Sequence, residues 1–169
     1  MVDAIPSEVI NWSILNEIIS MDEDDPEFSK SLITQYIDQA TTTFHQMKDH
    51  LNGDKDLKEL DNLGHFLKGS SAALGLQRIA WVCERIQNLG RKAEDSFPER
   101  SQLLENLAST IELEDKDKLI DDSSESARKE ADSDGDNLYL NLIGEALIQA
   151  KIEFKLARKE LSAYYKTQL

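Results

Sequence analysis

The stretch LKELDNLGHFLKGSSAALGLQRIAWVCERIQNLGRK, residues 57–92, decides how this chain is read. Leu60, Leu63, Leu67 and Leu74 recur at helical spacing, so a helix is expected from about Leu57 to Leu74. Gly75 follows where a left-handed residue closes a helix. A second helix is expected from Gln77 to about Lys92, with Ile79, Val82, Cys83, Ile86, Leu89 and Gly90 along one side. A junction this short makes the two helices antiparallel neighbours.

The rest of the chain extends the pattern. A short helix is expected over Trp12 to Ser20, capped by Asn11. Asp25, Pro26 and Glu27 read as a helix start, and Phe28, Leu32, Tyr36, Ala40, Phe44, Met47 and Leu51 as one face of a helix from Pro26 to about Leu51, ended by Gly53. Ser96 and Glu99 read as a capping box for a short helix ending near Thr110. A last helix is expected from Leu138 to Tyr165, its stripe being Leu142, Ala146, Ala150, Phe154, Ala157 and Leu161. β-Branched residues nowhere alternate with polar ones long enough to suggest a sheet. The expected fold is all-α: an up-down antiparallel four-helix bundle with short additional N-terminal and mid-chain helices. Residues 1–169 form a single domain in this reading. The acidic stretch 112–136 carries eleven acids and four bases and reads as a solvated, flexible crossover.

Charge narrows the function. With 33 acidic and 19 basic residues the formal charge is −14, which argues against nucleic-acid and anionic-membrane binding. No apolar run reaches the length of a membrane span, and residues 1–7 lack the basic and apolar regions of a signal peptide. The chain is therefore expected to be soluble and intracellular. One cysteine excludes an intramolecular disulfide, and the histidine spacing carries no metal-ligand signature.

His65 is the residue that the core does not explain. At 100° per residue it falls opposite the leucine stripe, with Lys68 at i+3, Asp61 at i−4 and Gly69 at i+4. A helix-interior glycine costs about 1 kcal/mol relative to alanine. A solvent face gives Gly69 no packing reason; a partner that must approach the imidazole gives one. On the helix expected from Gln77, Trp81 falls opposite Ile86 and is expected to face solvent as a binding anchor, with Glu84, Gln87, Asn88 and Arg91 also off the core. In the first helix, Ile14, Ile18 and Met21 form one apolar stripe and Trp12, Leu15 and Ile19 another, so one is expected to remain exposed. An exposed imidazole beside a lysine suits phosphoryl transfer with a partner protein. An interaction module without chemistry fits the same residues. No strained nucleophile elbow accompanies Ser70 or Ser71, so hydrolysis is disfavoured.

His65-Phe66-Leu67-Lys68-Gly69-Ser70-Ser71-Ala72-Ala73-Leu74-Gly75 resembles the signature of histidine-containing phosphotransfer (HPt) domains. The likeness to fungal members also includes Ile5-Pro6-Ser7-Glu8, Phe28-Ser29-Lys30, residues 64–90 and Phe154-Lys155-Leu156-Ala157-Arg158, and is weakest from about Arg100 to Asp136. The resemblance implies a phosphorelay intermediate with His65 as phosphoacceptor through Nε2. It implies that Lys68 orients the phosphoryl group, Gly69 keeps the approach open, Gln87 and Arg91 support the site, and Ser70 lies beside it. Ile14, Ile18, Met21, Phe28, Leu32 and Trp81 would form the docking surface, with Asp24 at its rim. The implied partners are the receiver domain of a hybrid sensor histidine kinase and the receiver domains of response regulators, in osmosensing two-component signalling. No cofactor is expected in this chain; Mg²⁺ is expected on the partner receiver. No ATP-binding loop is present, so the expected role is that of a phosphocarrier without kinase activity. The resemblance further implies a monomer found in cytoplasm and nucleus.

Overall fold

The structure is a computed structural model that describes residues 4–107 and 135–169. The flexible crossover expected over 112–136 therefore lies outside the described residues, apart from its last two positions. The described elements are helices α1 (Trp12–Ile19), α2 (Phe28–Asn52), α3 (Leu57–Ala73), α4 (Gln77–Gly90), α5 (Arg100–Glu105) and α6 (Asp136–Tyr165), with a 3₁₀ turn at Ser20–Glu23.

Four of them close a ring: α2 packs on α3, α3 on α4, α4 on α6 and α6 on α2. Each adjacent pair is antiparallel. Tyr36 bonds Ser71 across α2 and α3, and Lys68 pairs with Glu84 across α3 and α4. Arg78 meets Glu153 and Lys92 meets Asp136 along α4 and α6. Ser29 meets Tyr165 and Phe44 meets Phe154 along α2 and α6. The four-helix, up-down bundle expected from the periodicity is the fold found.

Gly75 closes α3 as anticipated. Its φ is +81°. Leu76 N–H donates to Ser71 C=O (2.9 Å) and Gly75 N–H to Ala72 C=O (3.0 Å), which satisfies the helix's last carbonyls. The turn also seats the N-terminal segment: Asn11 N–H donates to Gly75 C=O at 2.7 Å. A Cβ at Gly75 would stand 2.6 Å from Asn11 O, so nothing larger fits. Asn11 caps α1 through its side chain, as expected.

Three boundaries differ from the sequence reading. The second helix begins at Phe28, and Pro26 lies in the turn before it. The cap comes from outside that turn: Asp22 accepts from Ser29 N–H (2.8 Å) and Ser29 Oγ–H (2.6 Å). The buried face near its start is Ser29 and Ile33, while Phe28 and Leu32 are half-buried. The short helix α5 is capped by Glu99 with Gln102, not by Ser96 with Glu99, and ends at Glu105. Pro98 explains the shift, because the residue before a proline is disfavoured in a helix.

The sequence reading missed a buried ion pair. Arg78 and Glu153 are both fully buried and bond through Nε–Oε1 (2.7 Å) and Nη2–Oε2 (2.9 Å). The remaining guanidinium donors reach Pro6 C=O and Leu103 C=O, each at 2.7 Å. Gln149 donates to Glu153 Oε2 at 2.6 Å. One cluster thus ties the N-terminal segment and α5 to the α4–α6 interface.

Candidate functional site

Two glycines bring α3 and α4 together beneath His65. A Cβ on Gly64 would lie 2.9 Å from Gln87 N and 3.0 Å from Cys83 O; one on Gly90 would lie 2.8 Å from both Asp61 N and Leu57 O. The helices can approach this closely only where those side chains are missing. Leu60 and Leu67 fill the core side of α3, and Tyr36 Oη bonds Ser71 Oγ at 2.6 Å behind it. Burial pushes the Tyr36 phenol above its ordinary range and the Cys83 thiol up to about 12, so neither ionises near neutral pH.

On the opposite side of α3, His65 is exposed, as its position opposite the leucines requires. Gly69, one turn on, is open: a Cβ there would meet nothing within 4 Å. Its glycine therefore has no packing reason inside this chain, in contrast to Gly64. Lys68, half-buried, lies 3.3 Å from Glu84 Oε1 of α4, and Arg91 bonds Asp61 Oδ1 at 3.2 Å. Asp61 and Lys68 share the His65 face by helical spacing, so the Arg91–Asp61 and Lys68–Glu84 pairs stand about one turn before and one turn after His65 along α3. Ser70 bonds back to Phe66 C=O (3.2 Å), an ordinary mid-helix arrangement.

Two expectations on α4 are corrected. Gln87 is buried rather than displaced from the core, with Oε1 lacking a hydrogen-bond partner among the described residues. Trp81 is not solvent-facing. It is 8% exposed, packed against Phe97 (ring centroids 6.4 Å) and lying under the Arg85 guanidinium (4.9 Å). The opposite side of α4 from Ile86 is covered because the chain after α4 returns over it.

The apolar surface on α1 is as expected. Leu15 is fully buried, whereas Ile14 and Met21 are 38% and 53% exposed and Ile18 is half-buried. Asp24 is exposed beside them, and Phe28 and Leu32 are half-buried. Ile14 borders the α3–α4 turn: its Cβ lies 3.3 Å from where a Gly75 Cβ would stand. The Asp22–Ser29 bonds hold the turn that carries Met21, and Ser29 Oγ shares a 2.6 Å hydrogen bond with Tyr165 Oη. Sequence reasoning missed Phe66, 47% exposed next to His65. The available signal was an aromatic residue lying off the leucine stripe.

Elsewhere, His50 Nδ1 bonds Asp54 at 2.8 Å and thereby lowers the Asp54 carboxyl from its ordinary value. That pair sits at the α2–α3 turn, away from His65. Among the described residues no cluster of three His, Cys, Asp or Glu could hold a metal ion, and no described helix is long and apolar enough to cross a membrane.

The profile of the Hpt domain matches residues 31–131, a span that includes α3, α4 and the His65 face. The chain belongs to the HPt family. It is 61% identical over 165 residues, 98% of each chain, to the phosphorelay intermediate protein YPD1 of Saccharomyces cerevisiae. The crystal structure of yeast YPD1p superposes with a TM-score of 0.89 at 58% identity, covering 99% of this chain and 100% of that one. The S. cerevisiae protein in co-crystals with the receiver domain of its downstream response regulator Ssk1 gives a TM-score of 0.84 at 59% identity, covering 98% and 100%.

Proposed function

We propose that this HPt chain is a histidine phosphotransfer intermediate of a multistep phosphorelay, and that His65 carries the phosphoryl group. The observation that carries this reading is the pairing of an exposed imidazole with an open Gly69 one turn away, on a face with no packing demand of its own.

The step balances simply. The neutral imidazole Nε2 lone pair attacks the phosphorus of a receiver-domain aspartyl phosphate. The N–P bond forms as the acyl O–P bond breaks, and the aspartate leaves as carboxylate. Transfer onward is the same step reversed at a second receiver. Lys68 neutralises the phosphoryl oxygens, and Arg91 supports that charge from the other side. Gln87 is buried on α4 behind the site, its backbone nitrogen facing Gly64. The bundle supplies position; carboxylates of the partner receiver would hold a Mg²⁺ ion that would shield the incoming charge.

The receiver domains of a hybrid sensor kinase and of response regulators are the proposed partners. Ile14, Ile18, Met21, Phe28 and Leu32 supply the apolar contact, with Asp24 at the rim. Trp81, buried against Phe97, is no part of that contact. Osmosensing signalling, and action in both cytoplasm and nucleus, are proposed from the family likeness alone.

The test is phosphotransfer from a phosphorylated receiver domain with Mg²⁺. The expected label is lost in acid, retained in base, and absent from His65→Gln with its helicity unchanged. Receiver binding with no label on the wild-type chain would reduce the protein to an interaction module.

A further inference from the structure

The turn that follows α1 carries part of the proposed receiver surface and has no core of its own. None of Ser20–Glu23 is buried, and Met21 is 53% exposed. Apolar packing therefore does not fix where the turn stands, and its own bonds only close it: Asp24 N–H and Asp25 N–H both donate to Met21 C=O at 3.2 Å. Asp22 ties it to the bundle. Its carboxylate accepts from Ser29 N–H (2.8 Å) and Ser29 Oγ–H (2.6 Å) at the start of α2. Ser29 is fully buried, and its one hydroxyl proton goes to that carboxylate. Its second bond, 2.6 Å to Tyr165 Oη, is therefore donated by Tyr165 and accepted by Ser29. The donors run from Tyr165 to Ser29 to Asp22, and the first link joins residues 136 positions apart.

We propose that Tyr165 is a positioning residue for receiver docking: through Ser29 it fixes the Asp22 carboxylate, and with it the turn that presents Met21 and Asp24. The inference rests on the phosphotransfer reading, since the surface it serves is the receiver surface. Each link polarises the next, so a donor at Tyr165 strengthens the Ser29–Asp22 bond. Burial raises the Tyr165 phenol above its ordinary value and keeps it a neutral donor near pH 7. Tyr165 is itself held. Its ring meets Tyr164 edge to face (4.8 Å, 82°), Tyr164 packs on Trp12 of α1 at 5.4 Å, and Lys166 in the left-handed region ends α6 directly after it. The end of α6 thus reaches both sides of the turn, α1 before it and α2 after it. A turn free to shift would present Met21 and Asp24 correctly only part of the time, and the apparent affinity for a receiver falls by that fraction. His65 stands on α3, outside this chain of bonds, so transfer within a formed complex is untouched.

Receiver affinity and single-turnover transfer from a phosphorylated receiver domain are measured on Tyr165→Phe and Ser29→Ala, at a temperature where melting curves show each variant folded. Tyr165→Phe is expected to bind the receiver about threefold more weakly and Ser29→Ala about tenfold, since the first loses a neutral bond and the second a charge-assisted one. Both are expected to transfer at the wild-type rate once the receiver saturates, a split that general loss of structure would not produce. The double variant should bind no more weakly than Ser29→Ala alone, because the phenol acts only through the serine. In the free chain, Tyr165→Phe is expected to speed amide exchange at Asp24, Asp25 and Ser29 and to leave the middle of α2 unchanged. Wild-type affinity in Tyr165→Phe would overturn the proposal, as would additive losses in the double variant. A wild-type chain that binds no receiver would instead overturn the phosphotransfer reading, and this inference with it.

Discussion

Glu84 of α4 holds the Lys68 ammonium of α3 at 3.3 Å, one turn beyond His65, while its other oxygen takes Arg85 at 2.7 Å. The lysine that would serve a phosphoryl group is thus tethered by a carboxylate when the histidine is bare. A dianion on His65 competes for it, and a half-exposed ion pair is a weak competitor, worth about 0–1 kcal/mol. Lys68→Gln is expected to slow transfer onto His65 about tenfold, below the effect of a fully enclosed donor. Glu84→Gln is expected to leave the rate unchanged or raise it. Rapid-quench phosphotransfer separates the two variants; equal slowing in both would mean that Glu84 positions Lys68 rather than competing for it.

Gly64 and Gly69 share a helix but answer to different constraints. Alanine at position 64 drives a methyl to 2.9 Å from the Gln87 backbone nitrogen, so the α3–α4 interface must open. Gly64→Ala is expected to destabilise by about 1–3 kcal/mol, the ordinary cost of overpacking. Gly69→Ala meets nothing within 4 Å and gains helix propensity, so it is expected to stabilise by up to about 1 kcal/mol. Gly69→Gln should keep that stability and weaken receiver docking. Urea melts of the three variants check the first two expectations, and titration with a receiver domain checks the third.

Trp81 changes the test that its sequence position suggests. A solvent-facing anchor would lose binding on truncation and keep its fold. The buried ring against Phe97 instead predicts a folding defect of about 3–5 kcal/mol for Trp81→Ala. Circular dichroism melts should register it. A variant as stable as wild type that binds receivers poorly would restore the docking role.

That residue also marks where sequence reading stops. The helices were legible because their signals are local: Asn11 before α1, the leucines of α3, Gly75 at +81°. The face of His65 was legible because the leucine stripe on α3 fixes the opposite side. On α4 the same wheel misled, since it assumes one buried face. α3 and α6 both pack on α4, and Phe97 covers what remains. At the start of α2 the apolar pair Phe28 and Leu32 lies beside Ser29 and Ile33, and it is the second pair that is buried although Ser29 is polar. Asp22 chose, by reaching Ser29 from a turn outside the helix. Arg78 offered no local sign of burial, because its partner is 75 residues away.

Glu160 gives a pH signature. Burial, and secondarily Glu8, raise its carboxyl above the ordinary 4.5. A raised native value means that the proton is held more tightly folded than unfolded. Its contribution to stability is complete below the unfolded value and is lost as pH rises through the native one. Glu160→Gln should therefore melt higher than wild type at pH 7, while the two converge below about pH 4. Parallel melting curves with a pH-independent gap would assign the difference to packing instead.

The Arg78–Glu153 pair makes the largest stability prediction. Both groups have left water completely, and Arg78 spends its remaining donors on Pro6 and Leu103. Removing one partner leaves a buried charge with nothing to offset its desolvation, which costs about 3–5 kcal/mol. Glu153→Leu is expected to show that loss by urea denaturation, and Arg78→Met a comparable one that also releases the N-terminal segment and α5. The double variant Arg78→Met/Glu153→Leu removes both charges, so it should be more stable than either single variant. It would still leave the Pro6 and Leu103 carbonyls unpaired. Faster hydrogen exchange confined to the N-terminal segment and α5 in the double variant is therefore the expected pattern. Additive losses would contradict it, because additivity means that the two side chains contribute independently rather than as a pair.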